Sequence, residues 1–152
     1  MEREYRPLRD EFHVTAGVDA VRRARDRIVA VAQRWGVPLS RDALADLRLC
    51  ASEVVTNALE HAGGDCRVTV RWTGDQLRVE VVDRSCRAPV LLAAGDELPS
   101  GRGLALVAAL AGSWGWEPTA AGKVVHFAFA ADTADAPVWR DPVTAGASRR
   151  RG

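Results

Sequence analysis

In this chain of 152 residues, the spacing of apolar residues changes from a helical to a strand period at the glycine pair Gly63-Gly64. Before this pair, apolar residues recur every three or four positions, which is the period of an amphipathic helix. After it they alternate with polar residues in two short runs, which is the period of a half-buried strand. A chain with two helices followed by a strand hairpin is expected to cover one face of a sheet with helices.

Two helices are predicted before the glycine pair. The first extends from Val18 to Trp35 and is ended by the segment Gly36-Val-Pro38. The second is expected to run to about Ala62. Ser40 is its candidate N-cap, and Asp42 lies in its first turn, where the helix dipole favours a negative charge.

Strands are predicted on both sides of the helices. Phe12–Thr15 is a candidate edge strand, and residues 66–72 and 77–82 predict a hairpin. A short helix after residue 103 is followed by a second hairpin, residues 114–129. The predicted fold class is α+β, a two-layer sandwich with helices on one face of a mixed, mostly antiparallel sheet.

Composition and termini limit the class of protein. Apolar residues make up 47% of the chain, and the formal net charge of +1 gives no reason to expect binding to nucleic acid or membrane. We expect one domain over residues 11–131, an N-terminal extension 1–10 and a disordered tail 132–152. Three widely spaced cysteines and no apolar leader favour the cytoplasm. Trp139 in the tail is either idle or an anchor for a partner.

One side of the second helix carries Glu53, Asn57 and His61, each four residues apart. This spacing stacks the three side chains in a stripe beside the apolar face. An Asn oxygen can bind Mg²⁺ together with phosphate oxygens, and a Glu one turn earlier can accept a proton. The alternative is a solvated helix edge, with His61 interacting only with the helix dipole.

Asp83 directly follows the buried strand of the first hairpin. A carboxylate at this position can accept a hydrogen bond from the exocyclic amine of adenine. The alternative is an aspartate that caps the turn after its strand. Between Arg84 and Ser100 the apolar pattern is lost, and this long segment is a lid candidate.

Gly101-Arg102-Gly103-Leu104 precedes the short third helix. Glycines before a helix allow backbone amides to approach phosphate closely, and the helix N-terminus adds its dipole. Arg102 adds a positive charge for a terminal phosphate. The alternative is a simple turn, because glycines also serve that purpose.

The combination and order of these motifs resemble the GHKL ATPase superfamily and, within it, the anti-sigma-factor serine/threonine kinases of the RsbW-like, short actinobacterial type. The resemblance covers about residues 11–130. It rests on Glu53-x-x-x-Asn57-Ala58, Val81-Val-Asp83, Gly101-Arg-Gly103-Leu104 and the closing hairpin with Trp114-Gly-Trp116 and Gly122-Lys-Val-Val.

The resemblance implies an ATP-binding regulatory protein that holds a sigma factor and phosphorylates an anti-sigma-factor antagonist. Its cofactors would be ATP and Mg²⁺, and its assembly a homodimer. Glu53 would be the general base, Asn57 the Mg²⁺ ligand and Asp83 the adenine-binding residue. The phosphates would lie on Gly101, Arg102, Gly103 and Leu104.

Two departures from the family pattern favour an alternative. Ser85 and Arg87 stand where glycines follow the Asp in typical members, and Lys123 follows Gly122 where a Thr is common. The alternative is a non-catalytic module of the same fold, which sequesters a regulator with weak or no nucleotide binding.

Overall fold

The computed structural model describes residues 7–61, 64–85 and 99–132. Within these ranges the elements are β1 (Leu8–Thr15), α1 (Ala20–Arg34), α2 (Arg41–His61), β2 (Asp65–Trp72), β3 (Gln76–Asp83), α3 (Pro99–Leu110), β4 (Ser113–Thr119) and β5 (Gly122–Ala130). The strands form one sheet in the order β1-β2-β3-β5-β4, with every neighbouring pair antiparallel. The predicted α+β class is confirmed, and the described sheet contains no parallel pair.

The predicted boundaries of α1 and α2 agree closely with the observed ones. Gly36 ends α1 with a φ of 64°, a left-handed conformation that glycine adopts without steric cost, and the Val37 amide bonds back to the Ala32 carbonyl at 3.0 Å. Ser40 caps α2 as predicted, because its hydroxyl oxygen accepts a hydrogen bond from the Ala43 amide at 3.0 Å.

The helices and the sheet form two layers with the core between them. α1 packs on β1, whereas α2 packs on the three strands β2, β3 and β5. The side chains that alternate inward along these strands are buried and apolar over most of their length: Val68, Val70, Leu77, Val79, Val81, Val125 and Phe127. Their burial supplies the main stabilisation of the fold, about 1.5–3 kcal/mol for each large side chain.

The inward-facing row becomes polar at one end of the sheet. β2 begins, β3 ends and β5 begins at this end, and the strand register places Asp83 opposite Lys123. Cys66 precedes the first residue of β2 that pairs with β3, so it lies on the other side of Asp83. Only Gly64 and two residues outside the described ranges separate α2 from β2, so the C-terminal turns of α2 lie at the same end.

Several predictions concern residues beyond these ranges. The tail from residue 133 onward, with Trp139, and most of the lid candidate lie outside the described residues.

The first strand starts at Leu8, inside the predicted N-terminal extension. None of the three described helices has the length and apolarity needed to cross a lipid bilayer.

Candidate functional site

Asn57, the middle residue of the polar stripe of α2, lies against the core rather than on a solvated edge. Asn57 is only 6% exposed, on a helix face shared with the buried residues Cys50 and Val54. Glu53, one turn earlier, is half-buried. Burial raises the pKa of the Glu53 carboxyl above its ordinary value, and the negative charge of Glu60 raises it further. The stripe therefore combines a buried amide with a carboxyl group that holds its proton more tightly than usual.

His61 is the last residue of α2. Its side chain lies outside the described part of the structure, so its predicted place in the stripe stays a prediction. Within the described residues, no group of three or more His, Cys, Asp and Glu side chains is arranged to hold a metal ion.

Asp83 is buried at the end of β3 and has two partners. Its Oδ1 accepts a hydrogen bond from the Ser85 amide at 2.8 Å and another from Lys123 Nζ at 3.0 Å. Lys123 Nζ also lies 2.9 Å from Oδ2, as an ion-pair contact. The predicted turn-capping alternative is therefore present, but it involves only one of the two carboxylate oxygens.

The second oxygen, Oδ2, is a buried acceptor without a hydrogen-bond donor among the described residues. The Lys123 ammonium is near enough for Coulomb attraction, but its contact with Oδ2 does not have hydrogen-bond geometry. A buried polar atom in this state costs free energy, and a ligand with an N–H group can relieve that cost. Asp83 is thus the described residue whose chemistry points most directly to a ligand.

Ser85 does not impose the backbone strain that its departure from glycine suggested. Asp19 is the only non-glycine residue with a positive φ in the described ranges, so Ser85 has an ordinary backbone conformation. Ser85 is buried, and its backbone amide donates a hydrogen bond to the Asp83 carboxylate. Arg87, the second departure, lies outside the described residues.

The glycine segment belongs to a helix and does not form a turn before one. α3 already begins at Pro99, so residues 101–103 occupy its first turns. The prediction that Gly101–Gly103 precedes the third helix is therefore wrong, and so is the alternative of a simple turn. Leu104 is 1% exposed and packs in the core, so only its backbone is available to a ligand.

The chain path orients the start of α3 toward Asp83. α3 packs on α2, and its C-terminal end leads to β4, where the Gly112 amide bonds to the Ala128 carbonyl at 2.9 Å. Ala128 lies at the end of β5 opposite Lys123. The N-terminus of α3, with its free amides and positive dipole end, is consequently directed to the polar end of the sheet.

Sequence reasoning missed two residues of this site. Lys123 was noted as a departure, but its contact with Asp83 was not predicted. One sequence feature indicates the contact: the only lysine of the chain occupies an inward position in the alternating strand Lys123-Val-Val-His-Phe127. Gly122 is the second residue that was missed. A Cβ at this position would lie 2.0 Å from the Asp83 carbonyl oxygen, so the backbone of Gly122 packs directly against that of Asp83.

A cleft of about 400 Å³ lies elsewhere, between β1 and α1, and is lined by residues from Phe12 to Arg27. Glu53, Asn57 and Asp83 do not contribute to it. No hydrogen bond or ion pair joins these three residues to one another in the described structure. The fold brings them to the same end of the two layers.

A comparison with protein-family models assigns the chain. The model of the histidine kinase-like ATPase domain matches residues 14–129, which is more than half of the sequence. The chain belongs to the histidine kinase-like ATPase family.

A solved structure supports the same fold. The crystal structure of the RsbU and RsbW domains of Rv1364c from Mycobacterium tuberculosis superposes with a TM-score of 0.58 and 24% sequence identity. The match covers 82% of this chain and 32% of that one, so this chain corresponds to about a third of that protein's length. A comparison with curated proteins found no significant match.

The predicted site residues belong to the part of the chain that the family model matches. Glu53, Asn57, Asp83 and the segment 101–104 all lie inside the matched range of the histidine kinase-like ATPase domain. This family is defined by an ATPase domain, which is a nucleotide-binding domain. The buried Asp83 Oδ2 fits such a ligand, since the amine of adenine supplies the donor that this oxygen lacks.

Proposed function

We propose that this chain binds ATP with Mg²⁺ at the polar end of its sheet and transfers the terminal phosphoryl group to a serine or threonine hydroxyl of a partner protein. The observation that carries the proposal is Asp83 Oδ2, a buried acceptor without a donor in the described structure. The ion pair with Lys123 offsets part of the cost of this missing hydrogen bond, and the exocyclic amine of adenine would supply the donor that the oxygen lacks.

Two residues of α2 have the chemistry for the phosphate end of the nucleotide. The side-chain oxygen of Asn57 is a hard ligand suited to Mg²⁺, together with phosphate oxygens. Glu53 is the proposed general base, one helical turn away. Its raised pKa brings the carboxyl closer to neutral pH, where a base accepts a proton from a hydroxyl more readily.

The start of α3 is the proposed phosphate-binding segment. Gly101 and Gly103 lack side chains, so a phosphate can approach the backbone of the first helical turns. Arg102, between them, supplies a charge that neutralises the developing negative charge on the transferred group. The buried Leu104 anchors this segment to the core.

The proposed partners are a sigma factor, which the chain would hold, and an anti-sigma-factor antagonist, which it would phosphorylate. A homodimer acting in the cytoplasm completes this proposal. Support comes from the motif order in the sequence and from the fold shared with a structure that contains an RsbW domain.

Calorimetric titration with Mg-ATP tests nucleotide binding. We expect saturable heat for the unmodified chain and reduced affinity for Asn57→Ala and Asp83→Asn. Asp75→Asn, in the exposed turn at the other end of β3, is the matched control and should bind normally. Absence of heat from the unmodified chain at millimolar ATP would rule out the nucleotide site.

Phosphoryl transfer is tested separately, with labelled ATP and candidate antagonist proteins. We expect Glu53→Gln to lose transfer while ATP binding is retained. Glu60→Gln, two turns later on α2 and exposed, is the matched control that should keep transfer. Equal transfer rates in the Glu53 and Glu60 variants would contradict the general-base assignment.

A second candidate is the non-catalytic partner-binding module. The contact between Lys123 and Asp83 favours it, because the ammonium occupies a lone pair on the proposed adenine-binding carboxylate. This candidate predicts binding to a sigma factor without heat from Mg-ATP. The same titration, followed by a pull-down with candidate sigma factors, separates the two.

A further inference from the structure

Lys123 and Asp83 form a buried ion pair between the neighbouring strands β3 and β5. Nζ lies 3.0 Å from Oδ1 and 2.9 Å from Oδ2, and the two side chains are 3% and 1% exposed. The chain has 21 basic residues, and Lys123 is its only lysine. The one side-chain ammonium of this protein is therefore buried against the carboxylate that the proposed function assigns to binding adenine.

The pair has unused hydrogen-bonding capacity on both sides. An ammonium group has three N–H donors, and Lys123 uses one of them, toward Oδ1. It makes no other hydrogen bond to the described residues, and Oδ2 accepts none from them. A free donor thus lies beside a free acceptor, with about one hydrogen-bond length between Nζ and Oδ2.

Purine bases present the complementary arrangement in two ways. Adenine has a donor, the N6 amine, next to an acceptor, N1. Hypoxanthine and guanine have an acceptor, O6, next to a donor, N1–H. A lone carboxylate placed to accept from the C6 substituent favours adenine, because it accepts from the N6 amine but meets O6 as a second electron-rich oxygen. A carboxylate beside an ammonium can satisfy either edge, with the two contacts exchanged.

We propose that Lys123 and Asp83 together bind the N1–C6 edge of a purine and that Lys123 extends recognition from 6-aminopurine to 6-oxopurine nucleotides. This inference rests on the proposed nucleotide site and specifies the base that the site takes. Lys123 is then a specificity-determining residue, and its replacement would narrow the site to adenine.

The test is calorimetry with the Mg²⁺ complexes of ATP, inosine triphosphate and tripolyphosphate, which has no base. We expect the unmodified chain to bind the two nucleotides within about tenfold of each other, since each forms two contacts with the pair. Both should bind at least about tenfold more tightly than tripolyphosphate. Lys123→Met keeps an unbranched side chain of the length that lysine has up to Cε and removes the N–H donors, so binding of inosine triphosphate should weaken by about tenfold or more relative to ATP.

Far-UV circular dichroism shows whether Lys123→Met folds, because removing one member of a buried ion pair is destabilising. If Lys123→Met does not fold, the test rests on the unmodified chain, through the ratio of its affinities for ATP and inosine triphosphate. Tight ATP binding with inosine triphosphate no better than tripolyphosphate would overturn this inference and leave the proposed function intact. An unchanged ratio in folded Lys123→Met would also overturn it. If neither nucleotide binds better than tripolyphosphate, the base site itself is refuted, and with it both proposals.

Discussion

Replacing Gly122 by alanine tests how closely β5 packs on the backbone that follows β3. An added Cβ would lie 2.0 Å from the Asp83 carbonyl oxygen and 2.6 Å from the Arg84 Cα. Non-bonded carbon contacts are normally about 3.5–4.0 Å, so the strands must separate by more than about 1 Å. Both obstructing atoms belong to the backbone, which cannot rotate away as a side chain can.

The magnitude follows from this lack of freedom. Overpacking costs about 1–3 kcal/mol, and we expect the upper end, about 3 kcal/mol. For a chain of this size, each kcal/mol lowers Tm by roughly 2–4 °C, so Gly122→Ala should melt roughly 6–12 °C lower. The displacement also moves Asp83 relative to Lys123, so affinity for Mg-ATP should fall with stability.

Thermal unfolding by circular dichroism measures the effect, and the chain offers two graded controls. A Cβ at Gly17 meets nothing within 4 Å, so Gly17→Ala should stay within about 0.5 kcal/mol of the unmodified chain. A Cβ at Gly115 meets the His126 ring at 2.9 Å, and a side chain can move, so Gly115→Ala should be intermediate. A Tm for Gly122→Ala equal to that for Gly17→Ala would refute the close packing.

Two further predictions follow from the pKa shifts. Burial and then Glu60 raise the folded-state pKa of Glu53 above 4.5, so the fold loses stability as the pH rises through the raised value. Glu53→Gln should therefore raise Tm at pH 7, with a gain that shrinks below pH 4.5; a lower Tm at pH 7 would contradict this. Burial first, and neighbouring carboxylates second, raise the pKa of Cys50 and Cys66 to about 12. In a Cys86→Ser background, Ellman's reagent at pH 8 should react with them only after unfolding, and rapid reaction of the native protein would count against their burial.

The fold was predictable because local signals and the apolar pattern agree. The change of period at Gly63-Gly64 marks the step from α2 to β2, and Ser40 and Gly36 mark helix ends through hydrogen bonds that depend on neighbouring residues. The period of apolar residues does not predict the order of the strands in the sheet. The placement of β5 between β3 and β4 depends on packing across the whole sheet.

The site was predictable in its residue types but not in its contacts. Spacing along α2 placed Glu53 and Asn57 on one stripe, because helical periodicity is local. The pairing of Asp83 with Lys123 joins residues 40 positions apart, so it follows from strand register and not from spacing. The start of α3 was misplaced, since two glycines within five residues resemble a turn, whereas the observed helix includes them.

The position of β5 inside the sheet has a consequence for how this protein is made. During synthesis β4 emerges from the ribosome before β5, yet it joins the sheet only through β5, and β3 has no neighbour on that side until then. The nascent chain therefore exposes an open edge of β3 until about residue 130 has emerged. Chains released before that point should depend on chaperones and should be degraded faster than the complete domain.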